Sequence, residues 1–557
     1  MAYGGNYSFE GLDARRAAMD GAIRDMTNMS RRFYPAIASR TPRRTVGNWG
    51  TNFGGVYFGD RELVVRDGGL YDDGSFICEL ETGEKQLAVL ENILYIFPDN
   101  ITYNVITKDV RRYYSISNVG EYTTKSVYID YYYTDENTGG VIDRTYYNSG
   151  LAFKTEYFPV FPFKTGELIK IKITKIYRNG AYRATEFEAY VTPDAVSRET
   201  DNPTYGSCYT IKLPTETFKE INPNKIAAAV EIEVSFGIPD MDFVFASDNR
   251  LWGAKGRSIY ASALGQGMVW IDYDTLATSS WAATTAAGDK ITAAVDFGGM
   301  PVFFSENAVY KIYGENPKEY QYVRTEIIGV TEGEHKSVAV GAGLIFYLSR
   351  RGVYAWTGGI PQLISAPLGE DRLVGGVGGS DGAVYYLSVR QGGRHNLYVY
   401  DPLTSAWMRE DDAHAVWMGM RGKDLCMVTD DGAAVLIGDV IGEDGTEETD
   451  IAYAMETADY NDGAVVQKSA KHILIQYELT DGTADVLVSH DGEPWRAVYT
   501  LYDTDGKKIT SVIPLHPGNY RTMRIMIVGD GELIVYYMVR EIVPMTERPG
   551  GEKNIYV

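Results

Sequence analysis

A short unit of apolar runs separated by tight turns recurs along most of the chain and limits what it can fold into. In one copy, Phe243–Gly265, the turns are Ser247-Asp248-Asn249 and Lys255-Gly256-Arg257. Asp and Asn favour turns because their side chains hydrogen-bond the nearby backbone. Each unit therefore predicts strand, turn and strand. Similar units occupy residues 56–65, 94–105, 301–314, 344–358, 384–401 and 425–438.

The spacing of these units is typical of a β-propeller. Their first turn residues are Gly59, Pro98, Ser247, Ser305, Ser349, Ser388 and Thr429. The last four lie about 40 residues apart, close to the period of roughly 40–45 residues for a blade of four strands. Hairpins of a sandwich are the alternative, but they require no steady step. We predict an all-β fold with a seven-bladed type of propeller, in which the last four residues occupy equivalent turns of successive blades.

The gaps between units divide the chain into domains. Residues 47–110 are predicted to form the first two blades, 111–240 an inserted β module, and 241–440 the remaining blades. A ring has no free sheet edge only if its first and last blades join. We therefore expect residues 51–65 to share a blade with residues 433–440. The acidic run at 439–450 predicts an exposed linker, followed by a C-terminal β-sandwich at 451–545 and a tail at 546–557.

The N-terminal segment, residues 1–46, is predicted to be a helix followed by a basic arm. Leu12, Met19, Ile23 and Met26 fall on one face of a helix over residues 9–30. Between residues 11 and 46, eight arginines face three aspartates, in a chain whose net charge is −22. The arm is expected to pack against acidic protein surface, of this chain or a neighbour. A solvated helix and loop is the alternative.

The inserted module combines tyrosines with a strong hairpin pattern. Ile169, Ile171 and Ile173 alternate with polar residues, and Asn179-Gly180 supplies a hairpin turn. Tyrosine provides contact area with a polar tip and suits interfaces, although ordinary strands are the alternative. The tyrosines are Tyr113, Tyr114, Tyr122, Tyr128, Tyr131, Tyr132, Tyr133, Tyr146 and Tyr147.

Charge and composition exclude several classes of protein. A net charge of −22 argues against ordinary nucleic-acid binding, which uses Lys and Arg to neutralise phosphates. A negative wall would instead keep passing DNA from adhering, though simple solubility also explains the charge. We expect no membrane span and no signal peptide, because long apolar runs are absent. Cys78, Cys208 and Cys426 have no metal or disulfide spacing, which favours synthesis in a reducing cytoplasm.

Residues that could perform chemistry form no recognisable active site. Ser489–Trp495 is one residue short of a sialidase box, and Asp503–Gly506 is half of a calcium loop; both are interpreted as turns. The acidic cluster Glu410-Asp411-Asp412 with His414 is interpreted as an exposed loop. The histidines at 335, 395, 414, 472, 490 and 516 show no ligand spacing. We predict no catalytic, cofactor-binding or metal-binding residues and no enzyme activity.

Several stretches resemble virion structural proteins of tailed bacteriophages with Gram-positive hosts. They are Asn28–Arg40, Pro239–Gly267, Val302–Gly314 and Gly352–Pro361, with Asn249-Arg250-Leu251-Trp252-Gly253 the most unusual run. The chain also resembles, more distantly, the tail-nozzle proteins of short-tailed phages, which combine a propeller with inserted domains. This resemblance implies a structural role in the tail and supplies no catalytic residues.

These observations lead to one functional prediction and one alternative. We expect a phage tail protein, in a nozzle, hub or adaptor ring, made in the host cytoplasm and located in the virion. It would form a homo-oligomeric ring, with sixfold symmetry expected, around the DNA exit channel. Its partners would be itself, other tail or head-tail adaptor proteins, and genomic DNA only in transit. The alternative is a propeller of the tail tip that binds or degrades host-surface carbohydrate.

Overall fold

β-Strands form nearly all the regular structure of the chain. The computed structural model describes residues 2–16, 18–19, 21–50, 53–59, 61–117, 129–130, 149–154, 161–178, 181–202, 206–214, 217, 228–274, 276–440, 444–449, 451–462, 466–516 and 518–544. These residues contain no α-helix, and 3-10 helices lie at His335–Ser337 and Ala366–Leu368. No helix in this part of the chain has the length and apolar character needed to cross a membrane.

The N-terminal strands contribute to sheets formed mainly by the C-terminal part of the chain. They are β1 (Ala2–Asn6), β2 (Ile23–Thr27), β3 (Met29–Ser30), β4 (Ile37–Ser39) and β5 (Arg44–Asn48).

The next strands form two antiparallel sheets of four strands, blades 1 and 2. Blade 1 contains β6 (Phe53–Phe58), β7 (Arg61–Arg66), β8 (Gly69–Asp72) and β9 (Ser75–Glu79). Blade 2 contains β10 (Gln86–Leu90), β11 (Ile93–Phe97), β12 (Ile101–Asn104) and β13 (Val110–Arg112).

The inserted module follows blade 2 and consists of two further sheets. Its strands are β14 (Ile116–Ser117), β15 (Ile129–Asp130), β16 (Ser149–Lys154), β17 (Ile169–Arg178), β18 (Ala181–Val191), β19 (Ala195–Asn202), β20 (Gly206–Leu213) and β21 (Ala228–Ser235). One sheet has the order β14-β21-β17-β18 and the other β15-β16-β20-β19. Ile171, Ile211 and Val234 are among the buried residues of its core, which is separate from the propeller core.

Five more blades follow the module. Blade 3 contains β22 (Phe243–Ser247), β23 (Arg250–Lys255), β24 (Ser258–Ala261) and β25 (Trp281–Thr284). Blade 4 contains β26 (Ala293–Asp296), β27 (Pro301–Phe304), β28 (Val309–Tyr313) and β29 (Gln321–Thr325). Blade 5 contains β30 (Ala339–Gly341), β31 (Leu344–Ser349), β32 (Gly352–Trp356) and β33 (Gln362–Leu363). Blade 6 contains β34 (Val374–Ser380), β35 (Tyr385–Gln391), β36 (Arg394–Asp401) and β37 (Ala406–Arg409).

Blade 7 joins the two ends of the propeller sequence. It contains β38 (Ala415–Arg421), β39 (Asp424–Thr429) and β40 (Ala433–Ile437), and its fourth strand is the N-terminal β5. A short strand from the predicted linker, β41 (Thr446–Glu447), pairs on the outer side of β5. Apolar clusters fill each junction between successive blades, including the junction between blades 7 and 1. The chain is therefore a closed β-propeller, as its repeat predicts.

The C-terminal unit is a β-sandwich that includes the chain's first residues. Its remaining strands are β42 (Tyr453–Thr457), β43 (Lys468–Thr480), β44 (Thr483–His490), β45 (Arg496–Tyr502), β46 (Ile509–Pro514), β47 (Met523–Gly529) and β48 (Glu532–Pro544). One sheet has the order β2-β42-β47-β44-β45, and the other β3-β4-β48-β43-β46 with β1 also on β48. The sandwich is thus not built from residues 451–545 alone.

The predicted helix over residues 9–30 is wrong, because tertiary pairing overrides the helical pattern. Ile23 and Met26 are buried, but in β2, which pairs with β42. Met19, expected on the same helical face, is 77% exposed. Gly11 and Gly21 have φ values of 90° and 72°, which a right-handed helix does not allow.

Ring closure occurs, but not through the predicted residues. Arg44–Asn48, rather than residues 51–65, pairs with Ala433–Leu436, while 53–79 form blade 1. The predicted equivalence of turns also needs correction. Ser305, Ser349 and Thr429 lie where the second strand of a blade turns into the third, whereas Ser388 lies inside β35. The turn of blade 6 begins only after Gln391, three residues beyond Ser388, because β35 continues to that residue.

Most arginines of the N-terminal arm pack against acidic residues of the same chain, as expected. Arg43 donates to Glu410 at 2.7 Å and to Asp411 at 2.6 Å, while Arg40 binds Glu448 at 2.7 Å. Arg43 and Glu410 are buried. Burial alone would raise the pKa of Asp411, but the charge and hydrogen bond of Arg43 outweigh burial and hold the pKa below its ordinary value. We call these five residues the ionic latch; it joins the arm, the loop after blade 6 and the linker.

Removing one charge from the ionic latch should destabilise the folded protein. We expect R43A to lower the free energy of unfolding by about 3–5 kcal/mol, because the buried Glu410 would lose its partner and Asp411 would keep only Arg40, 4.0 Å away. The control is R44A, whose partner Glu447 is half exposed, and which should cost less than about 1 kcal/mol. Urea denaturation followed by tryptophan fluorescence measures both. Equal losses in the two variants would contradict the role of the latch.

Candidate functional site

The residues that most resemble a sialidase box form a turn, as the sequence predicts. The turn follows β44 in the C-terminal sandwich. Asp491 accepts hydrogen bonds from the backbone amides of Arg521 and Thr522, each at 2.8 Å. Ser489 donates to the carbonyl of Glu493 at 2.5 Å. These polar groups therefore stabilise the turn.

The half calcium loop also serves as a turn, between β45 and β46. The Asp503 carboxylate accepts from the amides of Asp505 at 2.7 Å and Asp481 at 2.9 Å. Among the described residues, no three His, Cys, Asp or Glu side chains are grouped to hold a metal ion. Cys78 and Cys426 are free thiols.

The acidic cluster at 410–414 is not the exposed loop that was predicted. Glu410 and Asp411 belong to the ionic latch, whereas His414 turns towards blade 7 and lies 3.0 Å from Asp430. The His414 ring stacks on that of His395 from blade 6, with centroids 3.8 Å apart. The cluster therefore contributes contacts to the N-terminal arm, through Glu410 and Asp411, and between blades 6 and 7, through His414.

The feature best suited to contact another molecule is a hairpin of the inserted module. β18 is an 11-residue strand at the edge of its sheet, and none of the described strands pairs on its outer side. At the base of the hairpin, Ile171, Ile173 and Phe187 are buried. Beyond them, residues 181–184 are all exposed, so both faces of β18 lie in solvent. We call the part of β17 and β18 beyond Ile173 and Phe187 the projecting hairpin.

Aromatic and charged side chains cover this edge. Tyr182 is 66% exposed and Tyr190, near the base, is 47% exposed. Lys170 pairs with Glu188 at 3.0 Å, and its ammonium lies 5.6 Å from the ring of Tyr190. Lys175 lies 5.7 Å from the ring of Tyr182. Charges on an edge strand limit uncontrolled pairing, while the tyrosines supply contact area.

The projecting hairpin was predicted only as a hairpin. The alternation of isoleucine with lysine locates β17. Arg178 at the end of β17 pairs with Ala181 at the start of β18, across the predicted turn. The turn residues 179–180 lie outside the described residues. So do the tyrosines at 122, 128, 131, 132, 133, 146 and 147, on which the interface prediction mainly depended.

A cavity of about 500 Å³ lies where the module meets blades 2 and 3. Arg111 of blade 2 binds Glu167 of the module at 2.6 Å and lies over the ring of Tyr113. Asp272 and Asp274, from the loop between β24 and β25, also line the cavity and make no ion pair with any described residue. Because its wall comes from three distant segments, the sequence gives no signal for this junction cavity.

Comparisons with known proteins add little to this geometry. No family model and no curated protein matches the chain. Among solved structures, BamB from Moraxella catarrhalis is 10% identical with a TM-score of 0.34, over 72% of this chain and 99% of BamB. An exo-β-1,3-galactanase from Phanerochaete chrysosporium, solved with galactose, is 11% identical with a TM-score of 0.21, over 53% of this chain and 95% of the galactanase. Because these TM-scores are low, the assignment of a propeller rests on the sheets of this chain and their order.

The stacked histidines should make stability depend on pH. Burial lowers the pKa of His395, and the neighbouring His414 and Arg390 lower it further. An unfolded histidine titrates near pH 6.5, so below that value the unfolded chain binds more protons than the folded one. Stability is then present above about pH 6.5 and is lost as the pH falls through the lowered folded pKa.

We expect H395F, which keeps an aromatic ring in the stack, to lose less stability than the wild type between about pH 7 and pH 5. Thermal melts at both values measure the difference. The control H516F changes an exposed residue and should retain the wild-type dependence. An unchanged dependence in H395F would show that this histidine does not titrate on unfolding.

Proposed function

We propose that the protein is a structural component of a bacteriophage tail and assembles as a homo-oligomeric ring around the DNA exit channel. The observation that carries the proposal is the projecting hairpin. Because a closed propeller leaves only short, protected sheet edges, the module and its hairpin are not needed to complete the propeller core. An unpaired edge with exposed tyrosines is typical of a contact surface. The resemblance to phage virion proteins supplies the biological setting.

The geometry of such an assembly follows from the nature of the contact. The hairpin of one subunit would contact a different surface of the next subunit. Repeated head-to-tail contacts between identical subunits generate a ring when the rotation closes. With a net charge of −22 per chain, the assembled wall would repel a passing duplex rather than retain it. We propose a mechanical role without enzymatic activity.

The junction cavity supports a second candidate, recognition of host-surface carbohydrate. Asp272 and Asp274, which form no ion pair with a described residue, are acceptors for sugar hydroxyls, and the volume of the cavity lies in the range of small-molecule sites. Binding of cell-wall or capsule glycans that D272N/D274N abolishes would favour this function. Release of sugars by the wild-type protein would favour the degrading form of the alternative and contradict the absence of enzymatic activity.

Truncating the exposed tyrosines of β18 should weaken assembly. We expect Y182A/Y190A to weaken subunit association by about 30-fold or more, since loss of a strong interface residue costs about 2 kcal/mol. Light scattering coupled to size-exclusion chromatography measures the mass against concentration. The matched control is Y313A/Y322A, because these propeller tyrosines are 44% and 40% exposed; it should assemble like the wild type.

The location of the protein is tested separately. Gold-labelled antibodies against the protein should mark the tails of the phage particles that carry it, seen by electron microscopy. Labelling restricted to capsids or to host cells would contradict the proposed function. A wild-type protein that stays monomeric at all concentrations would contradict the ring.

A further inference from the structure

One face of blades 5 and 6 carries a group of exposed arginines in an otherwise acidic protein. Arg350 and Arg351 form the turn between β31 and β32, and Arg390 and Arg394 flank the turn between β35 and β36. Arg372 lies in the connection between the two blades, and Arg24 lies in β2 of the N-terminal segment. All six are exposed. We call them the arginine face.

The connection at residues 364–373 brings these segments together. Ser365 accepts a hydrogen bond from the amide of Val353, next to the first turn, at 3.0 Å. The carbonyl of Leu368 accepts from the side chain of Gln391, at the second turn, at 2.8 Å. The carbonyl of Pro367 accepts from the amide of Ala14 in the N-terminal segment at 2.8 Å. The arginine face is therefore one continuous surface.

The charges of the arginine face have no ion-pair partners among the residues that the structure describes. None of its six arginines forms an ion pair or a side-chain hydrogen bond with any residue that the structure describes. Arg24 and Arg394 line a concave region of about 640 Å³, together with Arg409 and Arg524, which are paired with Asp25 and Glu456. Most arginines of the N-terminal arm, in contrast, have partners. The free guanidinium groups are thus available to an outside partner with acceptor oxygens.

A complementary acidic surface exists elsewhere on the same chain. The turns after β43, β45 and β47 meet at one end of the C-terminal sandwich and carry Asp481, Asp503, Asp505 and Asp530. The Asp503 carboxylate accepts from the amide of Asp481, and that of Asp530 from the amide of Thr483, each at 2.9 Å. All four aspartates are exposed, and one of them, Asp505, lies 3.8 Å from the exposed Lys507 of its own turn. We call this end the aspartate turns.

We propose that the arginine face binds the aspartate turns of a second copy of this chain. The two surfaces are different, so the contact is head-to-tail and can repeat around a ring. Arginine suits the contact because its planar fork binds a carboxylate with two parallel hydrogen bonds. This inference rests on the proposed homo-oligomer and adds a second contact to that of the projecting hairpin.

A protein partner fits this face better than DNA does. Carboxylates lie among the arginines: Glu370 is 3.6 Å from Arg16, and Asp371 lies beside the second turn. Surfaces that bind the phosphate backbone neutralise it with Lys and Arg, and carboxylates beside those residues repel phosphate. The remaining surface of a chain with a net charge of −22 would also repel a duplex as it approaches. Each subunit, in contrast, brings its own acidic partner surface.

Charge reversal tests the contact directly. The variants R351E/R394E and D481K/D505K reverse one surface each, and each alone should weaken association of the full chain by at least 10-fold. Mixed in equal amounts, the two variants should associate again, because every arginine-to-aspartate contact then joins opposite charges. The control K318E/K423E reverses two exposed lysines in turns on the other side of the propeller, and should assemble like the wild type.

The measurement is mass by light scattering, with thermal melts to verify folding. Asp481 and Asp505 have left-handed backbone conformations, so D481N/D505N, whose asparagines tolerate them, provides a gentler second variant that should also weaken association. If the wild type forms a ring and R351E/R394E leaves it intact, the inference is wrong while the proposed function stands. Loss of assembly in both variants without recovery on mixing would also overturn it. Binding of a labelled DNA duplex that R351E/R394E abolishes would assign the face to nucleic acid instead.

Discussion

The structure depends on pairing between the first 48 residues of the chain and residues beyond position 430. β5 supplies the fourth strand of blade 7, and β1 to β4 extend both sheets of the sandwich. Unpaired strand edges attract other chains, and this exchange covers edges in two domains at once. Trp49, directly after β5, packs on Tyr57 of blade 1 and Trp417 of blade 7, with ring centroids 5.5 and 5.0 Å away. The closed ring and the complete sandwich thus share one segment.

The ionic latch shows why the closing segment needs charge as well as strand pairing. Arg43 and Arg40 bring positive charge between β4 and β5, where the loop after blade 6 and the linker bring carboxylates. Buried ions lose hydration, so such a group is stable only when every charge has a close partner. The latch therefore forms only if the segment, blade 6 and the linker are all in place. The latch thus favours one arrangement of the N-terminal segment, blade 6 and the linker.

The sequence predicts the propeller and the hairpin of the module well, because both depend on local patterns. Asp248 and Asn249 occupy left-handed conformations at the turn that opens blade 3, as their residue types suggest. Pairing between distant segments leaves no local pattern, so β5 and the N-terminal strands of the sandwich were missed. Leu12, Ile23 and Met26 have the spacing of a helix face, but they are buried without forming a helix. Surfaces assembled from several blades, such as the junction cavity and the arginine face, are invisible for the same reason.

The shared N-terminal segment also sets an order of events during synthesis. A ribosome makes residues 2–48 long before their strand partners in blade 7 and the sandwich, which lie beyond position 430. Until then the early strands have exposed backbone groups and apolar side chains, and blade 1 has no blade 7 to pack against. Pairings across such a separation form slowly because of the cost of closing long loops. Closure of the propeller and completion of the sandwich therefore wait until the strands beyond position 430 have been made.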